Sequence, residues 1–214
     1  MRRIICLVGS DGAGKTTLSR YVAEQLVKRN YKVALIWSRS INITSKVLLA
    51  FSRWLGHSGF EWHDGIKFGY HNFEKVFWLR WPYIVLQTID ANIACRYKLW
   101  RNRGADVIIF ERSPWDTLSD VILDTGCISA SQKWIGRWLV SSVSTPSCKV
   151  LWVNRDLKLV LETRKELRHD RVLEKQIIGY ARIAQQFGWD ELENNETLEN
   201  VKARLDAWLD ANGF

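Results

Sequence analysis

Eight residues near the start of the chain, Gly9-Ser10-Asp11-Gly12-Ala13-Gly14-Lys15-Thr16, fit the pattern G-x-x-x-x-G-K-[ST] without a mismatch. They follow a short apolar run, Arg3 to Val8, and open a stretch from Lys15 to Arg29 in which Leu18, Val22, Leu26 and Val27 recur at helical spacing. A strand that turns through glycines into a helix constrains the fold strongly. Glycines let the backbone curl until successive N–H groups converge, and the positive end of the following helix points at the same place. Such a loop is shaped for phosphate. Lys15 is expected to reach the β- and γ-phosphates of a nucleoside triphosphate, and the Thr16 hydroxyl to ligate Mg2+. Gly9, Asp11, Gly12, Ala13, Gly14 and Thr17 complete the expected ATP-binding set.

The rest of the chain alternates in kind. Apolar runs at 32–37, 106–110 and 149–154 read as further strands, and runs without polar alternation imply a parallel sheet covered on both faces. Helical stretches are expected at 40–55, 70–102, 113–125, 131–143, 156–167, 170–187 and 196–211. Strands alternating with helices give an α/β fold with helices on both sides of the sheet. The 214 residues contain no repeat, low-complexity tract or flexible linker, so a single domain over 1–214 is expected. Four scattered cysteines without metal-ligand spacing point to reduced thiols and a cytoplasmic setting. The short apolar run after Arg2-Arg3 does not fit a signal peptide, and no stretch has the length of a membrane span.

The net charge is +8, but the last twenty-five residues hold seven acids and two bases, which leaves +13 on residues 1–189. A basic excess suits anionic ligands. Its basic residues are dispersed, so nucleic acid is not an expected partner. No N-K-x-D follows, which sets aside guanine recognition, and the strand at 106–110 ends in Glu111-Arg112-Ser113 rather than an acidic pair. A small kinase remains.

These residues resemble the thymidylate kinase family, with a second likeness to deoxynucleoside kinases. Asp11-Gly12-Ala13-Gly14-Lys15-Thr16-Thr17 resembles the family's D-G-x-G-K-[ST] loop, and Glu111-Arg112-Ser113 stands where those families carry D-R-[YS] or E-R-S. The resemblance implies a three-layer sandwich around a parallel, mostly five-stranded sheet, the nucleotide kinase form of the P-loop fold. It implies that Asp11 lies beside the acceptor, that Glu111 helps hold Mg2+ and that Arg112 touches phosphate. Leu161 to Arg171 resembles an arginine-bearing lid, placed at about 161–172, in which Arg164, Arg168 and Arg171 would neutralise charge on the transferred phosphoryl group. The implied reaction moves the γ-phosphoryl of ATP to a nucleoside monophosphate such as dTMP.

The acceptor side departs from the family. Where thymidylate kinases carry R-E-P-G-G, this chain has Trp37-Ser38-Arg39-Ser40, and only Arg39 matches. Asp90 is followed by Ala91 rather than arginine, and the thymine-reading glutamine is missing. Thirteen of the twenty-six aromatic residues fall between 51 and 100, in an acceptor-side segment of about 40–102. Tyr70 or Phe73, at the start of the predicted long helix, is the expected ring to stack on a base, and core packing and a homodimer face account for most of the others. Asp64 or Asp90 could act as general base for an alcohol acceptor. His57, His63 and His71 lack a zinc spacing. Trp, Tyr and Arg between Val76 and Leu86 also suit peripheral contact with a membrane. Two alternatives therefore stand beside the nucleotide acceptor: a sugar or lipid-linked acceptor, and an ATP-binding partner protein with negligible turnover.

Overall fold

A computed structural model describes residues 2–38, 42–63 and 65–214 of the chain. Strand β1 (Arg3–Val8) is apolar at nearly every position because both of its faces are covered. Ile4, Cys6 and Val8 enter one core and Ile5 and Leu7 the other. It pairs in parallel with β5 (Val107–Arg112) on one side and β6 (Cys148–Asn154) on the other. Strand β2 (Val33–Trp37) pairs with β5, and β7 (Asp190–Glu193) with β6. Among the described residues the result is a five-stranded, all-parallel sheet in the order β2-β5-β1-β6-β7. Helices α1 (Lys15–Lys28) and α8 (Leu198–Ala211) cover the face that holds Ile5 and Leu7. The opposite face is covered by α3 (Phe77–Arg101), α4 (Pro114–Thr125), α5 (Trp134–Val140) and α7 (Leu173–Phe187), which makes three layers. The chain reverses its direction of travel across the sheet beside β1, and open α/β sheets bind ligands outside the carboxyl ends of the strands at such a point.

Four of the strands lie within a residue or two of their expected places. β7 was not expected. Its sequence Asp-Glu-Leu-Glu has little strand character, and only Leu192 is buried; pairing with β6 makes it a strand. The helix expected at 40–55 is α2 (Ser45–Trp54), and the one expected at 131–143 is a 3-10 turn over Ile128–Ser131 followed by α5. The stretch expected to be helical from 156 to 167 breaks after α6 (Leu157–Thr163) into a 3-10 turn, Lys165–His169.

The largest departure is in the aromatic segment. The helix expected from residue 70 starts only at Phe77, and ahead of it β3 (Ser58–His63) and β4 (Ile66–His71) form an antiparallel hairpin. Its register opposes Ser58 to His71, Phe60 to Gly69 and Trp62 to Lys67. Gly65 in the turn takes a φ of 78°, a left-handed conformation that favours glycine. Phe60 and Trp62 therefore lie on one face of a ribbon and Phe68 and Tyr70 on the other.

Asp90 on α3 is fully buried. Its carboxylate accepts the backbone N–H groups of Ile43, Thr44 and Ser45 at 3.0, 2.8 and 3.0 Å and the Ser45 hydroxyl at 2.7 Å. These are the donors that the start of α2 leaves unsatisfied, so a carboxylate from a neighbouring helix caps it. Burial pushes the Asp90 carboxyl up, but the bonds from Thr44 and Ser45 outweigh it and hold the group below the ordinary carboxylate value. The expectation that Asp90 meets an acceptor hydroxyl is corrected: the group is enclosed and committed to the α2 cap. Because its folded pKa is depressed, its stabilisation is present at neutral pH and is lost as pH falls through that low value. Asp90→Ala should destabilise the fold by roughly 3 kcal/mol in urea unfolding at neutral pH, since several buried donors lose their acceptor.

Candidate functional site

The loop after β1 has the shape its sequence demands. Gly12 and Gly14 adopt φ of 81° and 97°, and Gly14 is the residue that opens α1. A Cβ on Gly12 would come within 2.7 Å of Val160 on α6, so the loop and the segment after β6 fit together only with glycine there. Lys15 is buried, and its ammonium donates to the Gly9 and Ser10 carbonyls at 2.6 Å each. Thr16 and Thr17 lie exposed at the loop's rim, and the Thr16 hydroxyl donates to Glu111 at the end of β5. A hydroxyl joined to a carboxylate at the mouth of the glycine loop is a hard-oxygen set that fits Mg2+, which takes one or two protein oxygens and otherwise water or phosphate.

Arg112, beside Glu111, has only 11% of its side chain exposed and pairs with the Asp11 carboxylate, with Asp116 of α4 4.0 Å away. Three loop partners were not foreseen. Asn194, just past β7, donates to the Ala13 carbonyl at 2.7 Å. Gln176 on α7 accepts from the Asp11 backbone N–H at 3.2 Å. Arg155, just past β6, lines the same cavity as Lys15, and its buried Nε has no partner among the described residues. Nothing local in the sequence marks these side chains, which reach the loop only through the sheet order; Arg155 alone carries a signal, as a base following a strand.

Two cavities of about 470 Å³ each flank the loop. One is lined by Lys15, Thr16, Thr17, Glu111, Arg112 and Arg155 and opens on the glycine loop. The other lies beneath the hairpin and is lined by Phe68 and Tyr70 of β4, by Tyr83 and Gln87 of α3, and by Asp120 and Asp124 of α4. Asp11, Arg164 and Leu167 line both, so the cavities meet at the loop.

The lid residues separate on inspection. Arg164 is brought to the junction of the cavities, where its Nε is bonded to Glu166. Arg168 is exposed and lines neither cavity. Arg171 turns to the hairpin, 2.9 Å from Glu61 and with its guanidinium 5.8 Å from the Tyr70 ring. The hairpin clasps the lid further: the His63 and His169 rings stack at 4.7 Å, and Tyr70 donates to the His169 carbonyl at 3.3 Å. Phe68 is buried with Val160, Leu167 and Leu173.

On the acceptor side, Tyr70 lies on β4 rather than at a helix start, and it does line the cavity. Phe73 does not. Its ring is fully buried against His71 and Tyr83, at 5.5 and 4.7 Å, so the expectation of an exposed stacking ring is corrected to a core residue. Arg39 and Asp64 lie outside the described residues.

Asp124 is pushed up to about 8, first by burial and also by Asp120, against the opposing effect of the Tyr83 hydroxyl that donates to it at 2.6 Å. Its folded pKa exceeds the unfolded one, so its contribution to stability is complete near pH 4 and is lost as pH rises through 8. Asp124→Asn, which cannot ionise, should gain on the parent protein by on the order of 1 kcal/mol per pH unit between about pH 5 and 8. Urea unfolding across that range measures it; parallel curves would contradict the shift. No protein-family model and no curated protein matches the chain, so the functional reading rests on this geometry and on the sequence.

Proposed function

We propose that the chain is an ATP- and Mg2+-dependent phosphotransferase, similar to thymidylate kinases, acting on a small acceptor held beneath the β3–β4 hairpin. The observation that supports it most is the meeting of two cavities at Asp11 and Arg164, one opening on the glycine loop and the other on the hairpin. Loop N–H groups and Lys15 would hold the β- and γ-phosphates, with Thr16 holding Mg2+ directly and Glu111 through water. Mg2+, when bound, neutralises charge on the β- and γ-oxygens. In the transfer, an acceptor oxygen forms a bond to the γ-phosphorus as the bond to the β–γ bridging oxygen breaks, and ADP leaves. Arg164 and Arg155 would neutralise the charge that spreads over the phosphoryl oxygens, and no covalent enzyme intermediate is needed.

The acceptor carried by the resemblance is a nucleoside monophosphate such as dTMP. Its phosphate is already ionised and needs no base, and Tyr70, with Phe68 and Tyr83 but not Phe73, is among the rings that line the cavity. A second reading, a hydroxyl acceptor on a sugar or lipid-linked molecule, is favoured by the lining itself. Among the described residues Asp11, Asp120, Asp124 and Asp170 face Lys67 and Arg164, a set richer in carboxyls than a phosphate site calls for. A hydroxyl must give up its proton, and a carboxylate can receive it.

ADP release with Mg-ATP against nucleoside monophosphates, deoxynucleosides, sugars and polyprenyl alcohols tests these readings. Turnover on one class should fall at least about a hundredfold in Lys15→Ala. Arg155→Ala should weaken ATP binding roughly tenfold in calorimetry without loss of fold. ATP binding with no turnover on any acceptor would leave the partner-protein reading and overturn the kinase.

A further inference from the structure

The three helices α2, α3 and α5 carry aromatic residues outward as well as inward. Both α2 and α5 pack against α3. The inner side of α3 supplies Leu79, Tyr83, Ala91, Cys95 and Leu99 to the core. Away from that core Trp78, Ile93, Tyr97 and Trp100 of α3 are exposed, whereas Trp81 and Val85 are partly buried and pack against it. Trp78 is 54% exposed, Trp54 on α2 78% and Trp134 on α5 70%. The Phe51 ring joins two of the helices, 5.8 Å from Trp54 and 6.2 Å from Trp78. Trp134 and Trp138 stack at 6.2 Å on α5. Exposed aromatic surface on this scale marks a contact face.

The charges on the same helices say what it contacts. Lys46 and Arg53 on α2, Arg96 and Arg101 on α3 and Arg137 on α5 are exposed. The one acid in these helices, Asp90, is buried in the α2 cap. A second copy meeting this face across a twofold axis would set bases against bases. The chain's acidic segment, 190–214, includes α8, which covers the opposite side of the sheet. Tryptophan and tyrosine mixed with Lys and Arg is the composition of a membrane–water boundary. Among the described residues no helix is long and apolar enough to cross a membrane, so the contact is peripheral. We propose that the α2–α3–α5 face seats the protein on an anionic lipid bilayer, with the tryptophans entering the headgroup layer and the bases meeting lipid phosphates. Trp54, Trp78 and Trp134 line neither of the two cavities, so this inference stands apart from the proposed catalysis.

Co-sedimentation of the full chain with vesicles tests it. Vesicles of phosphatidylcholine alone are compared with vesicles containing about one-third phosphatidylglycerol, at low salt and at about 0.5 M salt, where charge attraction is screened. The mass in solution is measured in parallel by analytical ultracentrifugation. Expected are a monomer, binding to the anionic vesicles only, and release by salt. The triple variant Trp54→Ala, Trp78→Ala, Trp134→Ala should bind roughly tenfold more weakly while ATP binding is kept. Should that variant fold poorly, Lys46→Glu with Arg53→Glu and Arg137→Glu gives the same comparison from exposed positions. Absence of binding to anionic vesicles, unchanged binding in the variants, or a stable dimer that the tryptophan variant dissociates would each overturn the proposal, the last by assigning the face to a second copy.

Discussion

Arg112 leaves the end of β5 almost enclosed by protein, and a guanidinium in that position must be paired. Its two carboxylates come from different parts of the chain: Asp11 belongs to the glycine loop and Asp116 to the first turn of α4. Asp116 is itself fully engaged. One oxygen accepts the Ser113 backbone N–H at 2.8 Å and the Ser113 hydroxyl at 3.1 Å, and the other accepts the Tyr180 hydroxyl of α7 at 2.8 Å. Ser113 returns a bond to the Trp115 N–H, completing a reciprocal helix cap. One charge therefore links the loop after β1, the end of β5, the start of α4 and the middle of α7. Removing Asp11 or Asp116 would leave the largely buried Arg112 with one carboxylate in place of two.

That network fixes one wall shared by both cavities; the hairpin and the lid supply the other. The coupling between them is partly apolar, through Phe68, Leu167 and Val160, and partly polar, through Glu61 and Arg171. Gly12 is part of the same arrangement, since its missing side chain lets Val160 and Leu167 approach the loop. The 160–173 segment is thus joined to the hairpin, and Arg164 lies where the two cavities meet.

Much of this was legible before any coordinates. Continuous apolar runs mark the strands of a parallel sheet, and β1, β2, β5 and β6 are of that kind, although β2 lies at the sheet edge with Leu35 and Trp37 exposed. The glycine loop is legible because its backbone can be built from few other sequences. The hairpin, in the stretch left unassigned between two expected helices, carried a signal of its own: Asp64-Gly65 is a turn dipeptide, flanked by alternating Phe60, Trp62, Phe68 and Tyr70. β7 carried almost none, since a short charged strand at a sheet edge owes its form to its neighbour. Asp90 and Phe73 were misplaced for one reason. A carboxylate or a ring has the same local pattern whether it faces a ligand or serves the core, and only its distant partners, the α2 N-terminus and Tyr83, separate the two.

The sequence by itself determined the alternation of strands and helices and the glycine loop after β1, because each depends on residue type and short-range spacing. The tertiary structure decided which side chains share a space. Asn194, Gln176 and Arg155 meet the loop because β6 and β7 lie beside β1 and α7 packs over it. Tyr70 on β4 lines the cavity beneath the hairpin, while Phe73, past the end of that strand, is taken into the core by His71 and Tyr83. The exposed tryptophans of α2 and α3 come together at Phe51 because α2 packs on α3, as α5 does with its own exposed pair. Contacts between residues far apart in the chain follow from sheet order and helix packing, and no local pattern encodes either one.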